Sequence, residues 1–164
     1  SSAIKSNLGA LASPVRGIFA GGYVAPANIN VIEYITFSTL GNATNFGSLT
    51  KTTISLSGCS NPTRGVFAGQ QNAGSNVIEY ITISTLGNAV KFGELTVARE
   101  LLSNMACSSS IRGLFMGGDV PSPALAQNVI DYVNISTQGN AVTFGYLTAR
   151  TAAAAACSNA HGGL

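Results

Sequence analysis

Three cysteines, three arginines and three carboxylates recur in this chain at matching places, and a single histidine stands apart from them. Cys59, Cys107 and Cys157 each precede a serine, in the wording Gly-Cys-Ser or Ala-Cys-Ser. Thiolates bind zinc, so three in register raise the idea of a metal ring. Equivalent positions in successive copies of a repeat are too far apart for one ion or one disulfide. The three are therefore read as small apolar side chains on a strand. An odd count without pairing leaves the redox compartment open. Arg16, Arg64 and Arg112 suit a ring that holds an anion. They suit better a set of ties, each joining one unit to the next through carbonyls or a carboxylate. Glu33, Glu79 and Asp131 are equally periodic and are the expected carboxylate partners.

His161 is the only histidine and lies in a glycine-rich stretch with no second ligand near it in sequence. A lone His without a partner is a poor catalytic base. The glycine pairs are not followed by Gly-Lys-Ser/Thr, so no phosphate loop is formed. No Gly-x-Ser-x-Gly elbow with a His and Asp set is present. Six acidic residues, three of them in one repeat slot, leave no acid–base pair. The expectation is a protein that is not an enzyme and holds no cofactor.

These residues belong to a sentence written three times. Arg16-Gly17-Ile18-Phe19, Asn30-Val31-Ile32-Glu33-Tyr34, Gly41-Asn42-Ala43, Phe46-Gly47 and Leu49-Thr50 return with Arg64 and again with Arg112. The repeats cover about 1–50, 51–98 and 99–150, and 151–164 begins a fourth. The three arginines are 48 residues apart, and Phe46, Phe92 and Phe144 fill one slot. Tyr to Gly is seven steps in every copy and Gly to Phe five. The stretch between Arg and Asn varies most, at 13, 11 and 15 residues, while the register elsewhere is nearly fixed. A length that varies between fixed flanks marks a surface loop. A period this long means one supersecondary unit copied in tandem.

Each unit divides into four short segments rich in Val, Ile, Thr, Tyr and Phe, bounded by Gly, Asn, Ser and Pro. That composition predicts strands. In the third segment Val77, Ile81 and Ile83 share one face, and Ile78 and Tyr80 the other. Apolar residues on both faces predict a sheet covered on both sides. Leu86-Gly87-Asn88 is expected to turn between the third and fourth strands. Four strands per unit of about 50 residues, covered on both faces, is the pattern of a β-propeller blade.

The chain has 46% hydrophobic and 9% charged residues and a net charge of +2. That balance argues against disorder and against nucleic-acid binding through phosphate neutralisation. No apolar run reaches the length of a membrane-spanning helix, so no membrane insertion is expected.

The wording resembles a kelch repeat. Phe19-Ala20-Gly21-Gly22 matches the strand that ends in a glycine pair, and Ile32-Glu33-Tyr34 the acidic-Tyr strand. Phe-Gly-x-Leu-Thr stands where kelch repeats carry Trp-x-x-Leu, and Arg99 or Arg150 stands where they often carry Arg. The departures are the absence of Trp, the broken pair Gly69-Gln70, and Lys51 in the Arg position. The wording also resembles repeats in structural proteins of tailed phages of marine bacteria.

The resemblance implies an all-β, kelch-like propeller: three four-stranded blades plus an extra first strand, in a ring of six to eight blades. The phase implies a portion of a longer chain, or a ring completed by identical chains; the first is favoured. The function implied is a virion scaffold or adhesin in a tail fibre, spike or capsid appendage. Its partners would be other virion proteins, copies of itself, or a host-surface glycan or protein. A cellular kelch-like interaction module is the alternative. A galactose-oxidase-like enzyme is a third, and needs copper ligands that one His does not supply. Loops after the second and fourth strands of a kelch-type blade share one face. Tyr23, Lys51, Gln70, Gln71, Asn72, Arg99, Asp119 and Arg150 are the candidate ligand- or partner-binding residues there.

Overall fold

In a computed structural model, which describes residues 4–71, 75–121 and 124–158, the chain is all-β, with no helix among the described residues. Each repeat forms one four-stranded antiparallel sheet. Sheet 1 is β1 (Gly9–Ala12), β2 (Arg16–Ala20), β5 (Val31–Thr36) and β6 (Thr44–Ser48). Sheet 2 is β7 (Ser57–Ser60), β8 (Arg64–Ala68), β9 (Val77–Thr82) and β10 (Val90–Glu94). Sheet 3 is β11 (Ala106–Ser108), β12 (Arg112–Met116), β15 (Val129–Asn134) and β16 (Val142–Tyr146). The register repeats: Arg16 faces Thr36, Arg64 faces Thr82 and Arg112 faces Asn134.

Local chemistry explains the turns. Between the first two strands, Ser13 Oγ accepts from the amides of Val15 and Arg16 at 3.2 and 3.0 Å. Asn61 Oδ1 accepts from Thr63 and Arg64 at 3.0 and 2.8 Å. Ser109 Oγ accepts from Ile111 and Arg112 at 3.3 and 3.1 Å. A short polar side chain that bonds its own backbone two or three residues on is the mechanism by which Ser and Asn close turns.

The variable stretches are more ordered than loops in two units. β3 (Tyr23–Val24) pairs with β4 (Ala27–Asn28), and β13 (Asp119–Pro121) pairs with β14 (Ala124–Ala126). The turn expected at Leu86-Gly87-Asn88 is not a tight hairpin. Residues 83–89 form a long connection whose backbone is used elsewhere, as described below.

The fourth strand of each sheet carries a bulge. Lys91 faces Glu79 and Gly93 faces Ile78, so Phe92 is the extra residue. Phe46 and Phe144 take the same place. A bulge re-aims a side chain, and here the ring stands edge-on to the tyrosine of the neighbouring strand. The pairs Tyr34–Phe46, Tyr80–Phe92 and Tyr132–Phe144 have centroids 5.9, 5.9 and 6.0 Å apart.

The sheets stack in chain order. One core lies between sheets 1 and 2, with Ile18, Ile32 and Phe46 meeting Phe67, Ile81 and Ile83. The other lies between sheets 2 and 3, with Val66, Ile78 and Phe92 meeting Phe115, Val133 and Ile135. Sheet 2 is therefore covered on both faces, which is why β9 is apolar on both. Among the described residues, sheets 1 and 3 are each covered on one face only.

The extra first strand expected near 152–157 does not form. Residues 151–158 contain no strand; their one β-bridge among the described residues is the isolated parallel one from Leu102 to Ala153. A first strand takes its ladder from the strand that follows it in the unit, and no such strand is among the described residues.

Candidate functional site

The periodic polar residues assemble at the junctions between sheets. Arg16 Nη1 donates to the Ile83 carbonyl of sheet 2 at 2.6 Å, and Arg64 Nη1 to the Ile135 carbonyl of sheet 3 at 2.9 Å. Each guanidinium also lies over the tyrosine of its own sheet. Arg16 is 4.7 Å from the Tyr34 centroid, Arg64 4.5 Å from Tyr80 and Arg112 5.4 Å from Tyr132. Arg16 and Arg64 thus reach carbonyls, and none of the three arginines forms an ion pair with Glu33, Glu79 or Asp131 among the described residues.

The carboxylates make a second set of ties. Glu79, fully buried, accepts from the Thr50 amide at 3.1 Å, from the Thr50 hydroxyl, and from Gln70 Nε2 at 3.1 Å. Asp131, also fully buried, accepts from the Thr96 amide and hydroxyl at 3.1 and 2.6 Å. Arg99 completes it, with Nη1 2.9 Å from Asp131 Oδ2 and Nη2 donating to the Phe115 carbonyl at 3.1 Å. In each case the Leu-Thr of one repeat holds the carboxylate of the next. Glu33, in the first of the three repeats, is paired with Lys5 Nζ at 2.6 Å instead. Burial lowers the Arg99 pKa, and Asp131 opposes that shift. A buried charge is tolerated only when paired and hydrogen-bonded.

Two of the residues expected on the binding face are buried. Arg99 is 1% exposed and Gln70 2% exposed, and both are spent on the internal carboxylates. Neither is available to a ligand. Lys51 and Arg150 are exposed, so Arg99 and Arg150 do not share an environment. Tyr23 is exposed on the β3–β4 hairpin, and Gln71 is half-buried, with its amide donating to Ile54 O. Asp119 starts β13, where its backbone pairs with Glu100, and its Oδ1 is buried without a hydrogen-bond partner. Burial, and then the nearby Asp119, raise the Glu100 pKa. Asn72 and His161 lie outside the described residues.

The inner strands add a third tie. Ser60 Oγ donates to Ala12 O at 2.5 Å, and Ser108 Oγ donates to Ser60 O at 2.8 Å. Beside this ladder the three cysteines line one shallow cleft. Cys59 is buried, Cys107 half-buried and Cys157 exposed. Burial raises the Cys59 pKa, with a further push from Cys107; burial also raises that of Cys107, with a push from Cys157. Thiols held protonated are weak nucleophiles and weak ligands. Among the described residues no group of three or more His, Cys, Asp or Glu is placed to hold a metal.

The residues that sequence reasoning missed are in the Gly-Asn-Ala connection. Gly87 N and Ala89 N donate to Phe46 O and Ser48 O of the preceding sheet at 2.9 and 2.8 Å. Asn88 Oδ1 accepts from the Ser48 amide at 3.0 Å. Gly139 N and Ala141 N repeat this on Phe92 O and Glu94 O at 3.1 and 2.8 Å. The fixed five-step spacing to Phe was the available signal. No protein-family model matches the chain, and no curated protein matches it.

Proposed function

We propose that this chain is a non-enzymatic, kelch-like β-propeller portion that acts as a scaffold in a phage particle. Its sheets are the blades, and its hairpin face meets a partner. The observation that carries the scaffold reading is where the periodic polar chemistry goes. Arginines, carboxylates and serines are consumed in holding one sheet to the next. Residues so consumed cannot attack or hold a substrate, whereas a rigid repeat stack is suited to bearing load and presenting loops. The repeat wording supports the phage setting: a tail fibre, spike or capsid appendage.

The partner-binding face, on this reading, is narrowed to Tyr23, Lys51, Asp119 and Arg150 with the β3–β4 and β13–β14 hairpins. Its ligand would be a host-surface glycan or protein. Two measurements test the proposal. Peptides of this chain in the mass spectrum of purified phage particles that encode it are expected; their absence overturns the virion role. Binding on a glycan array that is lost in Tyr23→Ala is expected of an adhesin; an array without signal leaves the scaffold role alone standing.

A further inference from the structure

Sheet 3 shows to solvent the face that sheets 1 and 2 bury. Phe46 and Phe92 are 3% and 4% exposed, while Phe144 is 54% exposed. Arg112, equivalent to the two arginines that tie junctions, is exposed and rests only on Tyr132 among the described residues. A Cβ at Gly93 would overlap the Gly139 carbonyl of the next sheet, and one at Gly47 the Gly87 carbonyl. A Cβ at Gly145 would meet nothing within 4 Å. Three separate features of the face are therefore shaped for a neighbouring sheet.

Sheet 1 shows the complementary face. Phe37 is 56% exposed, while its equivalents Ile83 and Ile135 are 2% and 0% exposed. The Gly41-Asn42-Ala43 connection matches in sequence the two that grip a preceding sheet through Gly87 N and Gly139 N.

We propose that the open face of sheet 3 binds the open face of sheet 1 on a second copy of this chain. The two internal junctions supply the template residue by residue. Thr148 takes the Glu33 carboxylate as Thr96 takes Asp131. Arg112 takes the Phe37 carbonyl as Arg64 takes that of Ile135. Gly41-Asn42-Ala43 closes over Phe144-Gly145 as Gly139-Asn140-Ala141 closes over Phe92-Gly93. The contact is head-to-tail, so it repeats from copy to copy and forms a ring where the rotation closes. The inference rests on the internal junctions and on the stacked-blade reading, not on the role in a particle. The segment 151–158 lies along the inner edge of sheet 3, through Ala153 and through Ala156 N to Asn104 O at 3.2 Å. An incoming β1 needs that place, so this segment moves aside on docking.

Sedimentation equilibrium of the 164-residue chain tests this. The wild type is expected to run at a multiple of the single-chain mass, rising with concentration. Phe144→Asp and Phe37→Asp are each expected to weaken association at least tenfold. An equimolar mixture of those two variants regains a one-to-one pair, because one intact face of each kind remains. Gly145→Val, at a position with free space in the single chain, weakens association while circular dichroism and melting stay unchanged. Removal of residues 154–164 strengthens association. A wild type that stays single up to about 1 mM, or a variant mixture that does not pair, overturns the proposal. Neither result touches the particle mass spectrum, which tests the proposed role separately.

Discussion

The junction between sheets 2 and 3 and the outer face of sheet 3 are written in the same words. At the junction, Phe92 is buried in its bulge, Arg64 reaches Ile135 O, and Gly93 lies under the Gly139 carbonyl. On the outer face Phe144 occupies the same bulge against Tyr132 with nearly the same ring geometry, yet stands in solvent. The within-sheet part of the unit is thus intact in both, and only the between-sheet part differs. Strand pairing, turn chemistry and the Tyr–Phe contact are local to a unit. Burial, the carbonyl tie and the need for glycine are properties of having a neighbour.

Substitutions in matched positions measure that difference. The largest effect is expected from Asp131→Ala, which leaves Arg99 buried without its carboxylate. Losing one partner of such a pair costs about 3–5 kcal/mol. Glu33→Ala removes a partly exposed pair with Lys5 and costs about 0–1 kcal/mol. Denaturant unfolding of both variants reads the contrast, and equal losses would break it. Phe92→Ala comes next, at about 3–4 kcal/mol for an emptied core site. Phe144→Ala is expected within about 0.5 kcal/mol when the chain is dilute. Gly93→Ala forces the Gly139 connection away and costs about 1–3 kcal/mol as overpacking, while Gly145→Ala leaves the melting temperature of the dilute chain unchanged.

The smallest effects distinguish two carboxylates by pH. Glu100 has its pKa raised above the ordinary 4.5 by burial and then by Asp119. Its folded state binds the proton more tightly, so its contribution is full below that ordinary value and is lost as pH rises through the folded value. Glu100→Gln is therefore slightly more stable than wild type at neutral pH, and the gap closes on acidification. Glu94 has its pKa lowered by its hydrogen bond from Lys91. Its contribution is present above the ordinary value and is lost as pH falls through the folded value. Glu94→Gln is slightly less stable at neutral pH, and that gap also closes in acid. Melting curves between pH 3 and 7 separate the two by sign.

Much of the site was open to view in the repeat. The slots of Arg16 and Arg64 and of Glu79 and Asp131 are periodic because each serves a periodic junction. Reading them as ties required no coordinates, but naming the partners did. The threonine that holds Glu79 is 29 positions away, in the preceding repeat, and the carbonyl that Arg16 reaches is 67 away. Arg99 and Gln70 were misplaced for a related reason. Polar residues in connections between strands look like surface, and only the packed carboxylate beside each shows that they point inward.

Period and alternation by themselves determined the all-β class, the three units and their four strands. Those features follow from side-chain alternation and turn chemistry, which act over a few residues. The tertiary structure alone decided which copy of each repeated residue is buried, which glycine is indispensable and which arginine is idle. Identical words cannot differ in sequence. They differ because a face becomes core only when another sheet lies against it.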